Sequence, residues 1–221
     1  MHHANLVKEI EHERNRFLND PTIISGMDFG AGSRLKNSRK ISSIARYGIS
    51  SKKDCLFLLG IANIINANTL LELGTSLGIS TAYLASSNHL KSIYTFEGNE
   101  PLANMSSKLF DRLDIKHVQL IKGDIDCTLP KALDKIEKLD LVIIDANHTR
   151  KALLKYYGLL KTRLSEFGVI VVDDISWSTD MYRGWKKIIS FPEVTLSLEF
   201  LNKGLLFFKK GIQKQRYVLS I

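Results

Sequence analysis

The run Leu70-Leu71-Glu72-Leu73-Gly74-Thr75-Ser76-Leu77-Gly78-Ile79-Ser80-Thr81 decides how this chain folds. Its first residues are apolar and β-type, Gly74 and Gly78 bracket a turn, and a helical pattern follows. Glycine lets a backbone turn sharply and approach a ligand with no Cβ in the way. A strand feeding a Gly-bearing turn and then a helix puts that turn outside the strand's carboxyl end. Open α/β sheets bind their ligands there.

Downstream, the same rhythm continues. Short β-type runs at 69–73, 92–97, 117–122, 139–145 and 168–173 alternate with helical segments at 78–88, 100–112, 130–137, 149–164 and 178–190. Such alternation predicts a parallel sheet covered on both faces. Leu141-Val142-Ile143-Ile144 has no polar alternation, as a central strand buried on both sides requires. The runs 194–199 and 205–209 read as a hairpin, which closes the sheet with an antiparallel last strand. The expectation is a doubly wound α/β fold with seven strands.

Upstream, residues 6–18 form a weak amphipathic helix, Pro21 to Ser38 reads as a loop, and 38–47 and 52–66 read as helices. Residues 1–66 are therefore expected to be a helical extension or lid packed on the core, and 67–221 the ligand-binding domain. The Gly-rich run Asp28-Phe29-Gly30-Ala31-Gly32-Ser33 has no strong strand before it and no acid at the right interval after it, so it reads as a surface or lid loop.

The bulk properties agree. A chain of 221 residues suits one α/β domain with an N-terminal addition, and 44% hydrophobic content supports a large core. No apolar run approaches the ~20 residues of a membrane span. The N-terminus lacks the pattern of a signal peptide. Cys55 sits in an apolar run and reads as a buried thiol, so a reducing cytoplasm is the expected location. The net charge of +8 is concentrated in two groups, Arg34 to Lys53 and Lys203 to Arg216. These read first as solvated surface and second as a face for nucleic acid or an acidic substrate. No membrane partner is expected, and a homodimer is compatible with the sequence.

The chemistry begins with Glu97, which closes the second strand at the ~20-residue interval where dinucleotide sites place the acid that binds a ribose. The Gly-x-x-x-x-Gly-Lys-Ser/Thr pattern of nucleotide hydrolases is absent. A nicotinamide dehydrogenase would show Gly-x-Gly-x-x-Gly, whereas residues 74–79 read Gly-Thr-Ser-Leu-Gly-Ile. Glu72-x-Gly74-x-x-x-Gly78, Glu97, Gly123-Asp124 and Asp140-Leu141-Val142-Ile143-Ile144-Asp145 instead resemble, in register, the motifs of the class I S-adenosylmethionine-dependent methyltransferases. The resemblance covers about residues 69–210, with Ser76 where a middle glycine is common. It implies a Rossmann-like fold and an S-adenosylmethionine site built from Glu72, Gly74, Thr75, Ser76, Gly78, Glu97, Gly98, Asp124 and Asp145.

Within that family, Asp145-Ala146-Asn147-His148 lacks the Asp/Asn-Pro-Pro-aromatic tetrad of nucleic-acid amino methyltransferases. It is similar to the small-molecule O-methyltransferases of the catechol and caffeoyl-coenzyme A type, with His148 where a basic Lys is usual. The later run Gly168 to Trp177 carries Asp173-Asp174, where that branch has Asp-Asn. The resemblance implies Asp145, Asp173 and Asp174 as oxygen ligands for Mg²⁺ or another divalent cation. It also implies His148, with Asp145, as the catalytic pair, because an imidazole can accept a hydroxyl proton near neutral pH. The bland alternatives are that His148 caps or stabilises the helix beginning at Thr149, and that Asp173-Asp174 caps the helix starting near Ser178 or satisfies backbone groups in the loop. Trp177, Met181, Tyr182 and Trp185 are candidates for an acceptor wall, although Met181 and Trp185, four apart, share a face that packs inward. The implied partner is a small-molecule acceptor. An RNA methyltransferase using the basic groups, or a non-catalytic donor-binding protein, are the competing readings.

Overall fold

Leucines, isoleucines and valines on both faces of the central strands set the architecture. The computed structural model describes residues 2–25 and 38–219, so the Asp28–Ser33 run and Arg34 and Lys36 of the first basic group lie outside the described residues. Among the described residues ten strands form: β1 Ile23–Ser25, β2 Ser38–Lys40, β3 Thr69–Leu73, β4 Ser92–Glu97, β5 Val118–Lys122, β6 Leu139–Ile144, β7 Leu164–Val172, β8 Leu196–Phe200, β9 Lys203–Phe207 and β10 Gln215–Leu219. The helices are α1 His2–Leu18, α2 Ile41–Tyr47, α3 Lys52–Ile64, α4 Ile79–Ala85, α5 Glu100–Arg112, α6 Ile125–Leu133, α7 Arg150–Leu160 and α8 Thr179–Ile188.

β1 and β2 form a small antiparallel ribbon, and the main sheet runs β10-β8-β9-β7-β6-β3-β4-β5. Strands β3 to β7 are parallel, and β9 is antiparallel to both β7 and β8. Leu70, Ile93, Leu141, Ile143, Val169 and Val171 bury one face against α1 to α5. Leu71, Leu73, Val142, Ile144, Ile170 and Val172 bury the other against α6, α7 and α8. Each such side chain contributes about 1.5–3 kcal/mol relative to exposure. This two-sided burial is what makes the central strands continuously apolar.

The expected seven strands are present, and an eighth is added. β10 pairs in parallel with β8 at the sheet edge, so the antiparallel strand, β9, is not the last one. All five residues of β10 are exposed, so it carries no buried face that periodicity could reveal. Other boundaries shift for local reasons. The third covering helix starts at Ile125 because Asp124 caps it by accepting from Asp126 N–H at 2.9 Å, and Pro130 lies inside it. Ser38–Lys40 is strand rather than helix, paired with Ile23–Ser25.

The N-terminal helices are fixed to the α/β core by polar contacts. Buried Glu13 accepts hydrogen bonds from Arg112 of α5, Tyr83 of α4 donates to Glu11 at 2.6 Å, and Arg14 donates to the Ser50 carbonyl at 2.8 Å. Cys55 and Cys127 are both free, and burial pushes the Cys55 thiol up to about 12. Among the described residues, no helix is long and apolar enough to cross a membrane.

Candidate active site

After β3 the chain crosses to β4 on one side, and it later returns to place β6 on the other side of β3. The carboxyl ends of β3 and β6 therefore flank a switch point, where doubly wound sheets open a crevice. The two tips come close together. Gly74 has φ +102°, and a Cβ there would lie 2.1 Å from the Asp145 carbonyl oxygen. Gly78 has φ +83°, and a Cβ there would meet Ser106 and Phe110 of α5 at 2.9–3.0 Å. Ser76 takes the left-handed conformation at φ +50°, the geometry that makes glycine common at this position.

Glu72 sits behind this turn. It is buried and accepts hydrogen bonds from Ser80 Oγ, Thr81 Oγ1 and Thr95 Oγ1 at 2.7, 2.5 and 2.7 Å, and Thr95 is also 2.6 Å from Thr75 Oγ1. Burial raises its pKa against the three hydroxyls. The hub ties β3, β4 and α4 together. Glu72, Thr75 and Gly78 thus shape the turn, while Gly74, Ser76, Glu97, Gly98, Asp124 and Asp145 line a cleft of about 920 Å³. That volume accommodates a nucleoside-sized ligand with a second small molecule. Glu97 accepts from Ser76 N–H at 2.7 Å and Asn99 N–H at 2.8 Å, so two backbone donors aim its carboxylate into the cleft. Asp140, at the other end of β6, accepts from the Asn68 and Thr69 amides.

Further along the cleft, acids gather at the tips of β6 and β7. Asp145 lies deep in the molecule, yet 33% of its side chain opens to the cavity. Burial, then the charges of Asp173 and Asp174, raise its pKa well above the usual range, with Lys203 opposing. His148 Nε2 stands 3.7 Å from Asp145 Oδ1 and 4.0 Å from Asp174 Oδ2, too far for direct hydrogen bonds. His148 Nδ1 is buried without a hydrogen-bond partner among the described residues. Burial lowers the His148 pKa, and the charges of Asp174 and Asp173 oppose the shift. Neither capping alternative holds: Thr149 caps α7 and Ser178 caps α8 with their own side chains.

The three-acid metal set does not assemble as expected. Both oxygens of Asp173 lie 2.7 Å from the Lys203 ammonium, and Asp173 Oδ1 also accepts from Asp174 N–H at 2.8 Å. The donor atoms that converge, all within 4.8 Å of one another, belong to Asp145, His148 and Asp174. Hard oxygen-seeking cations such as Mg²⁺ and Ca²⁺ favour all-oxygen sets, and that set is broken here. The sequence placed Lys203 in a solvated basic group. It is 4% exposed, and breaking such a buried pair costs about 3–5 kcal/mol. Arg216 of the same group pairs with Glu199.

Two further stretches of wall matter for the acceptor end. Tyr47, Gly48, Ile49, Ser50, Ser51 and Asp54 line the cleft from the N-terminal segment. Trp177, 57% exposed, lines it from the β7 side, with its ring 5.7 Å from that of His148. Met181 and Trp185 are buried core, and Trp185 packs on Gly204 and donates to Glu199 at 2.9 Å. Tyr182 donates to Glu199 outside the cleft.

Residues 71–175, which contain the Gly74 turn and every strand-tip acid of the cleft, match the family model of a methyltransferase domain. That span of the chain is similar to methyltransferase domains. No curated protein sequence matches it. Similar solved structures include an O-methyltransferase from Bacillus cereus in complex with SAH, at 18% identity and TM-score 0.64 over 93% of this chain and 91% of that one. An SAH-bound methyltransferase from Podospora anserina is similar at 18% identity and TM-score 0.66, over 93% and 88%. A cofactor-bound protein from MTB, Rv0187, is similar at 22% identity and TM-score 0.65, over 74% and 83%. At these identities the likeness establishes the fold. The chain therefore has the Rossmann-like architecture that its sequence motifs imply.

Proposed function

We propose that this methyltransferase moves a methyl group from S-adenosylmethionine to an oxygen of a small molecule. The observation that carries this reading is one cleft that joins the Gly74 turn and Glu97 at one end to His148, Asp145 and Trp177 at the other. Gly74 and Ser76 give close backbone approach for the donor's amino-acid part. Glu97 receives the ribose hydroxyls, and Gly98 and Asp124 flank the base. Glu72, Thr75 and Gly78 act from behind, holding the turn in shape. The donor supplies an electrophilic methyl group on a cationic sulfur, and Asp145 at the strand tip lies where it offsets that charge.

The acceptor hydroxyl enters the gap between His148 Nε2 and the acids. His148, neutral because burial lowers its pKa, takes the hydroxyl proton on Nε2 as the oxygen attacks the methyl carbon. The new O–CH₃ bond forms as the S–CH₃ bond breaks, and the pair of electrons stays on sulfur as the neutral thioether. The residues' main contribution is alignment, with oxygen and carbon held at ~3–3.5 Å and collinear with sulfur. The exposed faces of Trp177 and Tyr47 suit a flat acceptor. Residues 1–66 form the wall and lid over it, through the 47–54 segment.

The test is product identification. Methyl-labelled S-adenosylmethionine is incubated with a panel of phenols, catechols and aliphatic alcohols, and products are resolved by mass spectrometry. O-methylated product that disappears in His148→Ala supports the reading. Label transferred only to amines or RNA would replace it.

A further inference from the structure

Lys203 opens β9, and its ammonium is directed inward. It lies 2.7 Å from Asp173 Oδ1, 2.7 Å from Asp173 Oδ2 and 3.4 Å from Asp54 Oδ1. Lysine is almost never fully buried unless paired, and a long cationic side chain ordinarily keeps its head in water while its stem covers apolar surface. Here the head is buried together with the stem, and the residue lines the cleft wall at the carboxyl tip of β7. Asp54 belongs to the first turn of α3, so one ammonium joins the N-terminal wall of the cleft to the strand-tip acids.

Divalent ions bind carboxylate oxygens at ~2.0–2.6 Å. Asp173 meets an ammonium with both oxygens and a backbone N–H with one of them. A metal ion could use this carboxylate only by displacing Lys203 or by sitting beside it, where two cations in a poorly screened interior repel strongly. Asp174, the next acid, already accepts from Asn202 Nδ2 at 2.9 Å. The donor sulfonium adds another positive charge to the same cleft. A single fixed ammonium neutralises Asp173 with less electrostatic crowding than a dication beside a sulfonium.

We propose that Lys203 is a built-in counter-cation that stands in for a divalent ion among the strand-tip acids, so that methyl transfer by this chain proceeds without a metal. Lys203 acts as a positioning residue. It holds Asp173 in place, draws the Asp54 end of α3 onto the cleft, and leaves His148 as the group that handles the proton. The catalytic half of this inference rests on the proposed methyl-transfer reading. The cation half does not.

The experiment is a Mn²⁺ titration of the full chain, reading free Mn²⁺ by electron paramagnetic resonance, with and without S-adenosylhomocysteine. Wild type and Lys203→Arg are expected to show no stoichiometric site below the millimolar range. Lys203→Met frees Asp173 and Asp54 and is expected to bind Mn²⁺ at least about tenfold more tightly than wild type. Wild-type turnover is expected to survive exhaustive chelation. A stoichiometric micromolar Mn²⁺ site on wild type would overturn the proposal, as would a folded Lys203→Met that gains no Mn²⁺. So would turnover lost on chelation and restored by Mn²⁺. If Lys203→Met does not fold, judged by melting, the wild-type titration decides alone. Failure to bind S-adenosylhomocysteine would remove the methyl-transfer reading and leave the Mn²⁺ result to decide the cation half.

Discussion

A Cβ on Gly74 would lie 2.1 Å from the backbone oxygen of Asp145, so the tips of β3 and β6 approach to a separation that only glycine permits. The contact fixes the relative position of the two ends of the cleft. Gly74→Ala combines this overlap with a φ of +102° that alanine rarely adopts. The tips must separate, at a cost of roughly 2–4 kcal/mol. Thermal unfolding is expected to show a lower midpoint. Binding of S-adenosylhomocysteine to the remaining folded protein is expected to be lost.

Glu97 is aimed by the Ser76 and Asn99 amides, backbone donors that a side-chain substitution at those positions leaves in place. Under the proposed donor site, replacing it with alanine removes charged hydrogen bonds to the ribose hydroxyls, each worth about 1.5–3 kcal/mol. Donor affinity in Glu97→Ala is expected to fall about 10- to 100-fold, measured by calorimetry. Unchanged affinity would show that the ribose lies elsewhere.

His148 supplies a pH dependence. Its pKa is lowered below the ordinary 6.5, because burial disfavours the imidazolium more than the nearby acids favour it. The base form therefore dominates at neutral pH and is lost as pH falls through the lowered value. The kcat/KM profile is expected to have an acid limb with its midpoint below 6.5, and His148→Gln should abolish the limb together with most of the rate, by about 10²–10⁴-fold. The same sign applies to stability: this histidine's contribution is full above 6.5 and is lost as pH falls through the folded value.

Asp145 titrates in the opposite sense. Burial and two neighbouring acids raise its pKa, so the free protein holds a proton there to higher pH than an ordinary carboxyl. A sulfonium placed beside it favours the carboxylate and expels that proton, whereas the neutral thioether of S-adenosylhomocysteine does not. Calorimetry in buffers of different ionisation enthalpy is expected to detect more proton release with S-adenosylmethionine than with S-adenosylhomocysteine. Equal release, or the same small difference in Asp145→Asn, would place the sulfur away from Asp145.

The parallel core and the Gly74–Glu97 end of the cleft were legible because they are local. A buried strand, a glycine turn and an acid at the next strand tip each leave a mark within a few residues, and Glu97 and Asp145 lie where those marks put them. The acceptor end was only half legible. Asp173 follows a clear strand, but its partner Lys203 is brought to it by the β8–β9 hairpin, 30 residues on. A lone lysine at a strand start carries no signal of burial. The Tyr47 to Asp54 wall depends on how α2 and α3 dock, and β10 has no apolar alternation to betray it. Met181 and Trp185 were separable from Trp177 because the four-residue helical spacing marks an inward face, and burial bears this out.

The most direct test is calorimetric titration of the purified chain with S-adenosylhomocysteine at neutral pH. One-to-one binding in the micromolar range, weakened in Glu97→Ala, is expected if the cleft between β3 and β6 is a methyl-donor site. No binding by a folded wild-type protein would contradict that claim, and the Gly74 turn would then have to serve another ligand.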